Sequence, residues 1–247
     1  MKFGTQAMLA GAAAIGAAIL AVPAFADAQP GKANADAKRT NWGTAVTRAG
    51  GGHVFGNPDA AVKIKEYVSY TCPHCATFAR QGDPALKLYY VPSGQVSVEV
   101  RHVIRDPIDW TAAVLTNCGE PSKFAQNHAL FMGEQPKWLE EARSATTGQK
   151  QRWSNPNRIL ARKAIATDLG FDELMIRRGY SRVDIDRCLS DNEAATRLVI
   201  QSMEEAKRMN VEGTPSFAID DTLLEGTHSW QPLQMRVDAA LTAKRTQ

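Results

Sequence analysis

From residue 107 to about 210 the chain carries no strand pattern, although strands are readable on both sides of that block. On the near side, Val62, Ile64, Glu66 and Val68 alternate with Lys63, Lys65, Tyr67 and Ser69. Val96, Val98, Val100, His102 and Ile104 likewise alternate with Ser97, Glu99 and Arg101. Period-two alternation gives each segment one more apolar face and predicts two strands. On the far side, 216–220 reads as a strand, Asp221 as a turn and Leu223-Leu224 as a short return. A helix then runs from 229 to about 244, with Pro232 in its first turn, where no intrahelical donor is needed. The block between is a succession of helices: 109–117, 121–132, 136–145, 156–169, 172–178, 182–189 and 192–209. Gly119, Gly133, Gly170 and Gly179 stand where C-terminal caps belong, and Asp191 where the last helix starts. In that helix Ala195, Leu198, Val199, Met203 and Ala206 form an apolar stripe. The order predicts a small α/β sheet in two parts, 42–106 and 211–247, interrupted by an all-helical insertion at 107–210.

The first strand runs into Tyr70-Thr-Cys-Pro-His-Cys-Ala76, and residues 73 to about 90 then have helical character, interrupted near Gly82-Asp83-Pro84. A Cys-x-x-Cys can hold zinc, attach a haem or cycle between dithiol and disulfide. Zinc wants four ligands, but Cys118 and Cys188 stand singly and no spaced His pair exists. Haem attachment needs His directly after the second Cys, where Ala76 stands. A redox pair remains. Cys72 falls at the start of a helix, where unpaired N–H groups and the helix dipole stabilise a thiolate. Pro73 suits the first helical position, and His74 adds a donor and, when protonated, a positive charge. Cys75, one turn on, reaches Cys72 but faces inward. Cys72 is therefore the attacking, exposed thiol and Cys75 the resolving one. Each pKa unit taken off Cys72 favours the reduced protein by about 1.4 kcal/mol, or roughly 30 mV of oxidising power. That favours an oxidase over a reductase.

Two further residues bear on this site. Glu66 shares the apolar face of its strand six positions before Cys72; burial raises a carboxyl pKa there, and it could shuttle a proton for Cys75. Thr214-Pro215 heads a strand after a long helix, a setting for a cis proline, although most X-Pro bonds are trans.

The N-terminus sets the compartment. Lys2, an apolar run at 8–22 and Ala24-Phe25-Ala26 form a secretory signal, cut after Ala26. The run falls short of the ~20 residues that span a bilayer. Residues 27–41 are small, polar and aperiodic, and read as a flexible tether, with the folded part starting at Trp42. Gly50–Gly52 and the turn at 56–60 bracket a short strand. Formal net charge is +3, or +2 without Lys2, which gives no field for nucleic acid. All four cysteines are destined for an oxidising compartment. A Cys118–Cys188 bridge would close a loop of about 70 residues and add roughly 4 kcal/mol in the chain-entropy model. His102 reads as a core histidine, no histidine has metal spacing, and Lys150, Arg152, Arg158, Arg162 and Lys163 read as a solvated helix face.

The motif at Cys72–Cys75 after a strand, Glu66 six positions upstream and Thr214-Pro215 heading a late strand resemble the DsbA-like thiol:disulfide oxidoreductases, which have a thioredoxin fold split by a helical domain. The motifs lie within 62–106 and 211–243; over 107–210 only length and helical character match. The resemblance implies Cys72 as nucleophile, Cys75 as partner, His74 as tuning residue, Glu66 as buried acid, Pro215 as a cis proline beside the disulfide and Thr214 as the backbone that receives a client strand. It further implies reduced, newly exported client proteins in the periplasm, a quinone-linked DsbB-like membrane reoxidant, and no cofactor beyond the Cys72–Cys75 disulfide. DsbA is itself the type example of a low-pKa, strongly oxidising pair, so that direction is inherited with the resemblance. Thr before the proline also occurs in isomerase and reductase relatives. Isomerase or reductase activity is therefore the alternative, and a peptide-binding chaperone with an idle Cys pair a further one. A monomer is expected.

Overall fold

The computed structural model describes residues 41–246. The secretory signal at 1–26 and all of the tether but Asn41 lie outside the described residues. Six strands form one sheet: β1 Val46–Ala49, β2 Gly52–Gly56, β3 Val62–Val68, β4 Val96–His102, β5 Ser216–Ile219 and β6 Thr222–Leu223. Their spatial order is β1-β2-β4-β3-β5-β6. β3 and β4 are parallel and every other pairing is antiparallel. A parallel pair needs a crossover. It is supplied by α1 Pro73–Gln81, α2 Asp83–Ala85, a π-helical turn over Leu86–Tyr90 and a 3₁₀ turn over Val91–Ser93. β1 went unread because Val46–Ala49 has one half-buried and three exposed residues, and so no face to alternate.

The insertion contains α3 Pro107–Thr116, α4 Phe124–Arg143, α5 Thr147–Trp153, α6 Arg158–Asp168, α7 Phe171–Arg177, α8 Arg182–Ser190 and α9 Asn192–Arg208; α10 Trp230–Arg245 closes the fold. Starts are capped as the residue types require. The Asp106 carboxylate accepts from Ile108 N and Asp109 N, with Pro107 at the first helical position. Asp191 accepts from Ala194 N. The insertion does not form a core of its own. One apolar cluster runs from Val62, Ile64 and Val98 of the sheet through Phe131 and Trp138 of α4 to Phe171 and Ile185.

Four expectations need correction. Gly133 caps nothing: α4 continues through it and through Pro136. A proline inside a helix forfeits a hydrogen bond and costs about 3 kcal/mol, but Met132, Gln135 and Trp138 are buried around it and hold the helix against the core. The sequence reading also missed α5, where Gly148 masks a capping box between Thr146 and Gln149. On α9 the buried face passes through Ala195, Leu198 and Ser202, leaving Met203 64% exposed. Ser202 Oγ is drawn inward because it accepts from Ile104 N at 2.8 Å, which ties α9 to the end of β4. Arg162 is not solvated; it is 1% exposed, donates from Nε to Leu189 O at 3.0 Å and lies over the Trp110 ring.

Candidate active site

Cys72 is the N-cap of α1, with extended backbone (φ −96°, ψ 115°) and Pro73 directly after it. The turn that follows sets the first helical N–H groups beside the sulfur. Cys72 is not exposed as its place at the helix start predicts: it and Cys75 are both buried thiols, because the segment at Thr214 packs against the Cys72 sulfur. The two cysteines are driven in opposite directions. Cys72 falls to about 4, first because the Cys75 thiol donates to its thiolate, with the Thr214 hydroxyl and the backbone N–H groups of Cys75 and His74 adding to the effect against a desolvation cost. Cys75 is raised, first by burial and then by the neighbouring Cys72 thiolate. His74 contributes through its backbone; its side chain is exposed.

The far part of the sheet supplies the opposite wall. The Thr214–Pro215 peptide is cis, and the Cys72 thiol donates to Thr214 O at 3.1 Å. While Cys72 is a protonated thiol the Thr214 hydroxyl is buried without a hydrogen-bond partner, and it is a donor available to the thiolate. Behind the proline, His228 Nδ1 lies 2.8 Å from Pro215 O; an N–H there donates to that carbonyl.

Glu66 lies mid-sheet, in register with Val100 on β4 and Phe217 on β5, and is 1% exposed. Burial raises its pKa well above the ordinary value; the Asp83 carboxylate raises it further and Lys87 partly offsets this. Lys87 Nζ is 2.7 Å from Asp83 Oδ2. Glu66 Oε2 has no hydrogen-bond partner, which suits a neutral acid better than a carboxylate.

The sequence reading missed the groups that hold the segment before Cys72. Asp109 is 1% exposed and accepts from Ser69 Oγ at 2.6 Å, Tyr70 N at 2.8 Å and Arg105 N at 3.1 Å. Burial nevertheless pushes it up to about 7. Thr71 Oγ1 donates to Asp106 Oδ2 at 2.7 Å. Tyr70 Oη lies 2.8 Å from His128 Nδ1. Only Asp106, as an N-cap before a proline, left a readable signal.

His102 and the Cys118–Cys188 pair stand as the sequence predicts. His102 is a core histidine, 4% exposed, with Nε2 2.8 Å from Asn117 Nδ2. His53, His102 and His128 are all lowered to about 3, chiefly by burial, and are neutral. Among the described residues no group of His, Cys, Asp or Glu is arranged to hold a metal. Cys118 and Cys188 are joined in a disulfide with Cα atoms 5.8 Å apart, linking the end of α3 to α8.

A sheet crossed by one parallel pair, a Cys pair opening α1 and a cis proline facing it define a thioredoxin-type redox fold. The thioredoxin family model matches residues 48–239, and the chain belongs to that family. Its fold is shared with DsbA proteins, and curated relatives that it matches are named as protein-disulfide oxidoreductases. The crystal structure of protein-disulfide isomerase from Novosphingobium aromaticivorans has 43% sequence identity and a TM-score of 0.74, covering 77% of this chain and 97% of that one. Wolbachia pipientis alpha-DsbA1 shares the fold at 18% identity and a TM-score of 0.56, over 78% of this chain and 90% of its own. A Rickettsia typhi protein provisionally named a protein-disulfide oxidoreductase is 31% identical over 189 residues, 76% of this chain. The match spans 61% of that relative's length.

Proposed function

We propose that this protein is an exported dithiol oxidase that donates its Cys72–Cys75 disulfide to reduced, newly exported proteins in the periplasm. The observation that carries the reading is the site's geometry: Cys72 opens α1 with its sulfur 3.1 Å from the carbonyl of cis-linked Thr214, and Cys75 is buried one turn on, which lowers the first thiol's pKa and raises the second's. A stabilised Cys72 thiolate favours the reduced enzyme by a few kcal/mol at pH 7, so the disulfide form is the reactive one. The client's thiolate attacks Cys72 Sγ, the Cys72–Cys75 bond breaks and Cys75 leaves with the electron pair. Neutral Glu66 is the source of the proton Cys75 then takes up. A second client thiolate attacks the client sulfur of the mixed disulfide and expels Cys72 as a thiolate. The client is oxidised by two electrons and the enzyme reduced by two. Thr214, next to the cis proline, offers its backbone to the client chain. A quinone-linked membrane protein of the DsbB kind takes the electrons away, and no cofactor beyond the cysteine pair is needed. The Cys118–Cys188 bridge has a structural role, and the enzyme acts as a monomer.

The test is oxidation of a reduced model protein by the disulfide form. Cys72→Ser should abolish it, and an unchanged rate in that variant would remove the proposal. A second reading, isomerase, is supported by the name of the Novosphingobium relative. A refolding assay started separately from the reduced enzyme with scrambled client and from the oxidised enzyme with reduced client distinguishes the two.

A further inference from the structure

One amide of the helical insertion holds two carbonyls of the redox loop. Gln135 lies on α4, is 1% exposed, and donates from Nε2 to Tyr70 O at 2.6 Å and to Cys72 O at 2.8 Å. A carboxamide has two N–H donors, and both are committed to the segment that carries the reactive sulfur. The Cys72 carbonyl is also the first acceptor of α1, receiving Cys75 N at 3.1 Å and Ala76 N at 3.4 Å. Cys72 N donates in turn to Ser69 O at 3.1 Å, and Tyr70 N to Asp109. The Tyr70–Thr71 and Cys72–Pro73 peptides are thus both held from the insertion, and the orientation of Cys72 at the mouth of α1 is fixed with them.

We infer that Gln135 is a positioning residue that sets the oxidising strength of the Cys72–Cys75 pair. After the Cys75 thiol and Thr214, the backbone N–H groups of Cys75 and His74 are the donors that lower the sulfur. Their aim follows from the backbone torsions at Cys72, and those are held where Gln135 grips the Cys72 carbonyl. In a buried site such dipoles are weakly screened and act strongly on the charge nearby. A bond that served folding alone would stabilise the dithiol and disulfide forms equally. One that aligns donors on a thiolate favours the dithiol.

The inference rests on the dithiol–disulfide reading above, and the test separates the two. Full-length Gln135→Met keeps the side chain's length and removes both donors. Its equilibrium with glutathione should shift about five- to tenfold toward the disulfide relative to wild type, and its thiolate absorbance should appear at higher pH. A folded variant with both measurements unchanged overturns the inference and leaves the oxidase reading standing. A wild-type protein that does not exchange with glutathione overturns both. Should Gln135→Met not fold, hydrogen exchange of the Gln135 side-chain amide in the reduced and in the oxidised wild type decides. Protection at least about fivefold greater in the dithiol form supports the inference, and equal protection in the two forms contradicts it.

Discussion

The two cysteine pairs of this protein are built from the same atoms and do opposite things. Cys118 and Cys188 lie 70 residues apart and are joined across the insertion, with Cys118 buried at the end of α3. Closing a long loop restricts the unfolded chain. Cys72 and Cys75 are separated by a Pro-His dipeptide at a helix start, so their bridge restricts almost nothing, while the surroundings reward its opening. Sequence separation and helix position, rather than sulfur chemistry, decide which bridge is a staple and which is a reagent.

The largest effect that sharpens the contrast comes from the reagent. Cys72→Ser should leave no measurable oxidation, whereas Cys75→Ser should accumulate a client mixed disulfide visible by non-reducing electrophoresis. Next is the staple. Replacing Cys118 and Cys188 together by Ala should lower stability by about 4 kcal/mol and the melting temperature by roughly 10 °C. The Cys72 titration should not move; a large movement would break the division of labour between the pairs. Third is Glu66. Its folded-state pKa lies above its unfolded value, so the folded protein holds a proton that the unfolded chain releases, and stability falls as pH rises from about 4.5. Glu66→Gln should remove that slope, gaining about 1–2 kcal/mol at pH 8 in denaturant titrations, while slowing expulsion of Cys75 at least about tenfold in stopped-flow traces. The last effect is on stability alone and is at Asp109, raised from 3.8 to about 7. The same sign holds, and stability should decline by roughly 3 kcal/mol between pH 4 and 7. Asp109→Asn should flatten that decline, seen by chemical denaturation at several pH values.

How much of this was legible depends on how local each cause is. β3, β4 and the site at Cys72 were readable because alternation, a helix start and a two-residue spacing are all local signals. Glu66 was readable from its parity alone, since Val62, Ile64 and Val68 are buried with it. The cis form of Thr214–Pro215 came only with the family resemblance, because local chemistry favours trans. The Cys118–Cys188 pairing followed from compartment and number rather than from any pattern. What could not be read was tertiary. Gly133 and Pro136 look like a break until the core around Trp138 is present, and Arg162 looks solvated until Trp110 and the end of α8 close over it. Gln135 carries no signal at all: a glutamine in a helix is ordinary until the carbonyls of Tyr70 and Cys72 are brought to it.

The contrast between the pairs turns on a sulfur that prefers charge to a partner. Thiolate absorbance of the reduced protein near 240 nm, followed from pH 2 to 9, tests this directly. The account predicts a step for Cys72 centred near pH 4, absent in Cys72→Ser. A step at pH 8 or above would contradict it.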